Sequence, residues 1–440
     1  MKRRSFLKNA ALTGLGASTT SLWSLNSKNF FTQSLQVNSP RIEHRLFELA
    51  KFGRNDKGQG YRVAYTQGDI EGRAWLMELM KRAGLNPSID TGGNIIGKRK
   101  GKNASHKPIA FGSHIDMVPD GGNYDGVFGS IAALEVIEIL NENNLLTEHP
   151  LEVIIFANEE GGTVGSKAMV GTLTESDLNR VTQSGLTIRE GLKVIGGNPD
   201  NLPACIRQKG DYTAFIELHI EQGGLLESEN IQIGVVEGIV GMRDWGVTIE
   251  GFANHAGATP MNMRQDALLA ASKLVVAVNY VINKTPGRHV GTVGKNAAFP
   301  GATNVIPGSV QMSLEIRDLS IDRIEQLFNE IQQEAAAISK VHKVKISFAQ
   351  DFELFPAIAN EKVKKVIEEV AKKMQLSRKF MQSGAYHDTA QMATIAPIGM
   401  IFVPSIGGIS HSPKEFTQTI DMKNGANVLL QTILTIDKEF

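Results

Sequence analysis

Two short apolar runs, Lys107–Ser113 and Leu151–Ala157, flank a stretch of helical spacing, Val127–Asn143, in which Ala132, Val136, Ile139 and Leu140 share one face. Short runs bounded by turn residues, with a helix between them, make a strand–helix–strand unit, and such a unit implies a sheet covered by helices. Each run stops at side chains that ligate metals: His114 follows the first and Glu159-Glu160 the second. Sites in open α/β sheets form beyond the carboxyl ends of the strands, so this placement points to a catalytic edge.

The pattern recurs along the chain. Gly-Ser-His-Ile-Asp spans 112–116, Tyr-Asp-Gly 124–126, Asn-Glu-Glu-Gly 158–161, Glu-Leu-His-Ile-Glu-Gln-Gly 217–223 and Ile-Ser-His-Ser-Pro 409–413. Histidines, an aspartate and paired glutamates beside small residues are what a hydrolytic metal centre needs, because a carboxylate bridges cations and neutral imidazoles complete each shell. Cys205 is the sole cysteine, which excludes an intrachain disulfide and a thiolate metal site. Lys+Arg and Asp+Glu are balanced at 46 each, so charge implies neither a nucleic-acid nor a membrane partner.

Residues 1–39 read as a signal and linker. Lys2-Arg3-Arg4-Ser5-Phe6-Leu7-Lys8 looks like a twin-arginine export signal, and the stretch Ala10–Leu25 that follows is too polar for a convincing transmembrane helix. The expectation is a protein exported to the periplasm, although no clean Ala-x-Ala cleavage site is visible.

Further on, Arg41–Phe52 and Gly72–Gly84 have helical spacing. Between 244 and 355 the spacing predicts strand Trp245–Phe252, helix Asp266–Ile282, strands His289–Gly294 and Val310–Ile316, helix Ile321–Ile338 and strand Val344–Phe348. That β-α-β-β-α-β order is the ferredoxin-like arrangement, a four-stranded sheet with two helices on one face. After Pro356 the α/β character resumes with helix Lys362–Met374, strand Ile398–Val403 and helix Lys423–Thr435. The expected fold is α/β: a central mixed sheet flanked by helices, built from residues 40–243 and 356–440, with 244–355 inserted as an α+β lid and dimerisation domain.

Three segments carry a family resemblance: Leu-His-Ile-Glu-Gln-Gly at 218–223, Asn-His-Ala-Gly-Ala-Thr-Pro-Met at 254–261 and Gly-Gly-Ile-Ser-His-Ser-Pro at 407–413. Over residues 40–440 the chain resembles the M20-type metallohydrolases, and more narrowly their amidase, hydantoinase and carbamoylase branch. The resemblance implies two divalent cations, with Asp125 bridging, His114 and His219 completing one shell, and Glu160 and His411 the other. Zinc is the first expectation, with manganese, cobalt or nickel as alternatives, because His/carboxylate sites accept all four. Glu159 is implied as general base. If 158–161 is extended, the two glutamates point opposite ways, so one ligates while the other takes a proton. Asp116, on the same side as His114 if extended, is expected to orient that imidazole.

The resemblance also implies substrate contacts from Gln222, His255, Asn304, Arg317 and Gly384, with His255 stabilising the oxyanion and Arg317 gripping a carboxylate. In the family the equivalents of His255 and Asn304 can come from a partner subunit, so a homodimer is implied. Tyr386 stands where relatives commonly have glycine, which would narrow the pocket. The implied activity is hydrolysis of a linear C–N bond in an N-carbamoyl or ureido acid, giving amino acid, ammonia and carbon dioxide. An allantoate amidohydrolase is the alternative that shares every ligand. A dipeptidase or deacylase and a noncatalytic periplasmic binding protein are weaker readings, since His219 and Gln222 fit the ureido branch and every expected position is filled.

Overall fold

The computed structural model describes residues 35–440. The basic segment and apolar stretch expected to form an export signal lie outside the described residues. Strands Ile109–His114, Leu151–Phe156, Ala214–Ile220 and Ile398–Val403 are buried at every residue and form the parallel centre of a nine-stranded sheet. Strands buried on both faces need cover on both. Helices Val127–Glu142 and Thr419–Glu439 pack on one side. Short helices Val164–Val170 and Asp388–Met392 close the other, over a core that includes Ala110, Ile154, Phe156, Phe215 and Phe402.

Antiparallel pairs flank this centre, which makes the sheet mixed, although Arg378–Ser383 joins Ile233–Ile239 in parallel. Asn86–Ile89 and Ile95–Arg99 form a hairpin that joins Leu151–Phe156, and Ile233–Ile239 runs against Ile398–Val403. The sequence pattern does not reveal Ala214–Ile220, because Glu217 and His219 interrupt its apolar run. Glu217 tolerates full burial because Ser113 Oγ donates to it at 2.6 Å and Thr389 donates from both its hydroxyl and its main chain. Helix Gln67–Arg82 starts ahead of the expected Gly72. Its first turn is secured by Asp69, which accepts from the Tyr65 N–H at 2.8 Å.

The chain leaves this sheet after Ile239 and re-enters it at Ala357–Ile358, which pairs with Ile239 and Gly238. Between these points lies a second, antiparallel sheet. Ser309–Asp318 pairs Gly241–Glu250 on one side, and Lys345–Leu354 covers the far edge of Gly241–Glu250. The outer strand beside Ser309–Asp318 is broken into Val290–Thr292 and Asn296–Phe299, so five strands stand where four were expected. Helices Ala267–Lys284 and Ile321–His342 cover one face over a core of Val247, Ile249, Leu274, Leu314, Leu327 and Ile331. Trp245 stacks on Phe328 at 4.0 Å between ring centroids. Helix Ala267–Lys284 has the length and composition of a membrane span, but its Ala270, Ala271, Leu274, Val278 and Val281 are buried within the protein. Residues Gln36–Phe440 form one compact unit containing both sheets.

Candidate metal centre

The parallel strands bring their carboxyl ends to one edge, and the ligand-type residues gather there. His114 closes its strand. Glu159 and Glu160 follow Leu151–Phe156, and His219 is the penultimate residue of Ala214–Ile220. Asp125 immediately precedes Gly126, the residue from which helix Val127–Glu142 starts. Gly126 has φ +62°, and a Cβ there would lie 2.2 Å from His114 Nε2, so only glycine lets the aspartate and the imidazole approach this closely.

The two oxygens of Asp125 face different imidazoles. Oδ1 lies 3.1 Å from His219 Nε2 and 3.6 Å from His114 Nε2. Oδ2 lies 3.2 Å from His411 Nε2, which is itself 3.4 Å from Glu160 Oε2. His114–Asp125–His219 and Asp125–Glu160–His411 are thus two groups whose ligand atoms lie within 4.8 Å of one another, sharing one carboxylate. Among the described residues the only basic partners of Asp125, Glu159 and Glu160 are imidazoles. A buried excess of carboxylate over fixed positive charge, with nitrogen and oxygen donors only, suits divalent cations.

Hydrogen bonds behind the rings settle which nitrogen faces the centre. His114 Nδ1 is 3.1 Å from the Asp116 carbonyl oxygen, and His219 Nδ1 is 2.8 Å from that of Ile220. A carbonyl only accepts, so each Nδ1 carries a proton and each Nε2 is the nitrogen turned to Asp125, the one able to ligate a cation once it gives up its own proton. Asp116 therefore orients His114 through its main chain; its carboxylate stands farther off, at 3.6 Å. That carboxylate accepts instead from the N–H groups of Glu159 at 3.2 Å and Glu160 at 3.1 Å. The glutamate pair is not extended either, because Asn158 has φ +51° and turns the chain. The side chains still part: Glu160 faces His411, and Glu159 Oε2 stands 3.8 Å from His114 Nε2.

Burial pushes the Glu159 carboxyl well above the usual carboxylate range, against the opposing His114, with Asp388, Glu160 and Asp116 adding to the rise. Burial and then the Asp125 charge raise Glu160 to about 7. Asp125 is also buried, yet His219, His114 and His411 together hold it well below its ordinary value. A bound cation acts on all three in the sense that favours the carboxylate.

The residues expected to touch substrate fall into three places. Gln222, at φ +58°, donates through Nε2 to Asp125 Oδ2 at 2.5 Å, and its Oε1 is buried without a partner among the described residues. Arg317 and Gly384 meet, with Nη1 donating to the Gly384 carbonyl at 2.8 Å, while Glu315 accepts from Nε at 2.6 Å. His255 and Asn304 meet on an exposed ribbon where Asn254–His255 pairs Val305–Ile306. The N–H groups of Gly257 and Ala258 donate to His255 Nδ1 at 3.1 and 3.2 Å, which leaves the proton on Nε2, free to donate. No hydrogen bond or ion pair links this ribbon to the Asp125 cluster among the described residues. Tyr386 turns toward the core below the sheet, and its hydroxyl accepts from Gln391 at 3.1 Å.

Three buried residues near the centre have no role assigned by the sequence, although Glu217 opens the 217–223 segment and His387 lies in a turn, 383–388, that resembles a family segment near the substrate. Glu217 ties the His114 and His219 strands together through Ser113. His387 lies edge-on to His219, with ring centroids 4.6 Å apart, and its Nε2 is 2.9 Å from Ser383 Oγ. Burial, and then the charge of His219, keep His387 well below the usual imidazole range, hence neutral. Glu415 lies beneath Asp125. Its only sequence signal is its place shortly after His411, in a stretch that reads as solvated loop.

A family model described as Peptidase family M20/M25/M40 matches residues 110–435. An N-carbamoyl-L-amino acid amidohydrolase of Geobacillus stearothermophilus is 38% identical over 402 residues, covering 90% of this chain and 98% of the relative. A ureidoglycolate hydrolase of Arabidopsis thaliana is 37% identical, covering 91% of this chain and 87% of the relative, and enzymes named allantoate amidohydrolase also match. The crystal structure of an amidase of the hydantoinase/carbamoylase family from Burkholderia multivorans superposes with a TM-score of 0.86 at 36% identity, covering 92% of this chain and 99% of that one.

Proposed function

The chain belongs to peptidase family M20/M25/M40, on the side of its hydantoinase/carbamoylase amidases, and from that premise we propose that it hydrolyses the linear C–N bond of an N-carbamoyl amino acid to amino acid, ammonia and carbon dioxide. The observation that carries the reading is Asp125, one carboxylate whose two oxygens face two separate imidazole groups. His114, Asp125 and His219 would hold one divalent cation and Asp125, Glu160 and His411 a second, with zinc the first candidate and manganese, cobalt or nickel the alternatives. The ions would supply Lewis acidity toward the attacking water and the ureido carbonyl.

The protein's own groups do the rest. Glu159 takes the proton of the water and delivers it to the leaving nitrogen, a role open to it because Glu160 and not Glu159 faces His411. Gln222 Oε1, buried and without a partner among the described residues, accepts a ureido N–H. The proton on His255 Nε2 serves the oxyanion, and Asn304 beside it binds the acid. Since their ribbon is exposed, we place it at the centre of a partner subunit in a homodimer, with residues 244–355 as lid and dimerisation domain. The exposed Val276 and Tyr280 of helix Ala267–Lys284 support an apolar contact there. Export through the twin-arginine pathway to the periplasm rests on Lys2–Lys8.

Arg317, with Gly384 against it, is the carboxylate anchor, and Glu315 holds its guanidinium in place. Arg317→Ala is expected to raise KM about 10-fold or more for N-carbamoyl acids, the worth of roughly one charge-assisted contact, and to change KM little for neutral ureides. Equal losses on both would remove the anchor.

The allantoate reading remains the alternative, since it uses every one of these ligands. The deciding experiment is ammonia release by the zinc-loaded protein on N-carbamoyl-L- and D-amino acids, N-carbamoyl-β-alanine, allantoate, ureidoglycolate and dipeptides. Selective turnover of N-carbamoyl-L-amino acids is expected. Turnover of allantoate alone moves the protein to the alternative, and cleavage of dipeptides alone, read as free amine, overturns the ureido reading.

A further inference from the structure

The segment that carries the bridging aspartate and the turn that carries His411 are far apart in the chain, and one buried side chain joins them. Glu415 is 5% exposed. Its Oε1 accepts the N–H of Tyr124 at 2.8 Å and that of Asp125 at 3.1 Å. Its Oε2 lies 2.9 Å from Ser410 Oγ, which is also 3.0 Å from Asp125 Oδ2. The serine hydroxyl thus sits between two carboxylates, one residue before His411. Gly122 makes room for this arrangement, since a Cβ there would lie 2.1 Å from Glu415 Oε1. Alongside, Tyr124 and Phe416 meet edge to face at 5.8 Å.

We propose that Glu415 is a positioning residue for the metal centre, clasping the Tyr124–Asp125 main chain to the Ser410–His411 turn so that Asp125 Oδ2 and His411 share one cation position. Nothing in this role requires Glu415 to touch substrate. A carboxylate that accepts buried main-chain N–H groups forms strong, directional bonds. Removing it frees the peptide that aims Asp125 and leaves two N–H groups without an acceptor. His411 depends on the clasp more than the other imidazoles do. Its side chain is 49% exposed, whereas His114 and His219 are fixed within the sheet at 1% and 0%. The loss should therefore fall on the Asp125–Glu160–His411 position and spare His114–Asp125–His219.

The inference rests on the two-cation reading, and the test separates the two. Zinc alone is titrated into the metal-stripped full chain against a chromophoric chelator, with a thermal melt as the folding control. The wild type is expected to bind two ions. Glu415→Ala should keep the first and bind the second about 10- to 100-fold more weakly, the usual effect of losing a group that supports a ligand. Glu415→Gln keeps an oxygen for both N–H groups and should restore the second ion to within a few-fold. Ser410→Ala, which removes only the hydroxyl between the carboxylates, should weaken that ion several-fold. Substrate KM should stay within about two-fold in Glu415→Ala, since a tenfold change would require about 1.4 kcal/mol of lost binding. Wild-type affinity for both ions in Glu415→Ala overturns the proposal. If that variant does not fold, wild-type affinity in Ser410→Ala overturns it. A wild type that binds fewer than two ions overturns the two-cation reading itself.

Discussion

Replacing Glu159 by glutamine is expected to lower kcat by about 10²- to 10⁴-fold, the range that a positioned general base contributes. Glutamine keeps the size and the hydrogen-bonding capacity of the side chain but has no basic carboxylate. Glu159 stands 3.8 Å from His114 Nε2, outside both ligand groups, so metal content and KM should stay close to wild type. Its main-chain N–H remains bonded to Asp116, so the turn that presents it should survive the substitution. Steady-state kinetics with elemental analysis of the same preparation test this. Full activity in Glu159→Gln would exclude Glu159 as the base, and loss of metal alongside activity would make it a ligand.

Removing the bridge should cost metal as well as turnover. In Asp125→Ala the carboxylate that faces His114, His219 and His411 is gone, and both ligand groups lose their common member. Lewis acidity contributes several kcal/mol to reactions of this kind, and about 4 kcal/mol corresponds to roughly 10³ in rate. Turnover is therefore expected to fall by about 10³-fold or more, with both ions weakened together. Glu415→Ala, by contrast, should affect only the second ion. Elemental analysis after dialysis against a metal buffer distinguishes the two variants. Retention of two tightly held ions in a folded Asp125→Ala protein would show that the bridge lies elsewhere.

The sequence made some elements plain and hid others, and the reason lies in burial. Ile398–Val403 and Leu151–Phe156 are short and apolar throughout, so their runs coincide closely with the observed strands. Ala214–Ile220 is equally buried, but Glu217 and His219 disguise it, since a buried carboxylate is tolerable only with partners supplied from elsewhere in the fold. In the outer strand of the second sheet, the spacing predicts only His289–Gly294, which holds Val290–Thr292, and leaves out Asn296–Phe299 three residues further on. Each piece pairs its own part of Ser309–Asp318, a matter of register that periodicity does not encode.

The same division runs through the candidate centre. The residue types that gather at the sheet edge stand in the sequence itself, as imidazoles and carboxylates beside glycines at the ends of apolar runs, and the fold brings His114, Asp125, Glu160, His219 and His411 from five such segments close together. How they are held was decided by tertiary structure alone. Asp116 supports His114 through a carbonyl rather than its carboxylate. Glu159 and Glu160 part at a turn rather than along a strand. Arg317 finds Gly384, and Glu415 reaches Asp125 across 290 positions of chain. A single sequence records what each side chain can donate or accept and the local period that places it on a strand or helix. Which distant donor meets which acceptor depends on how the strands are ordered and which loops their ends bring together, and that is set only when the sheet assembles.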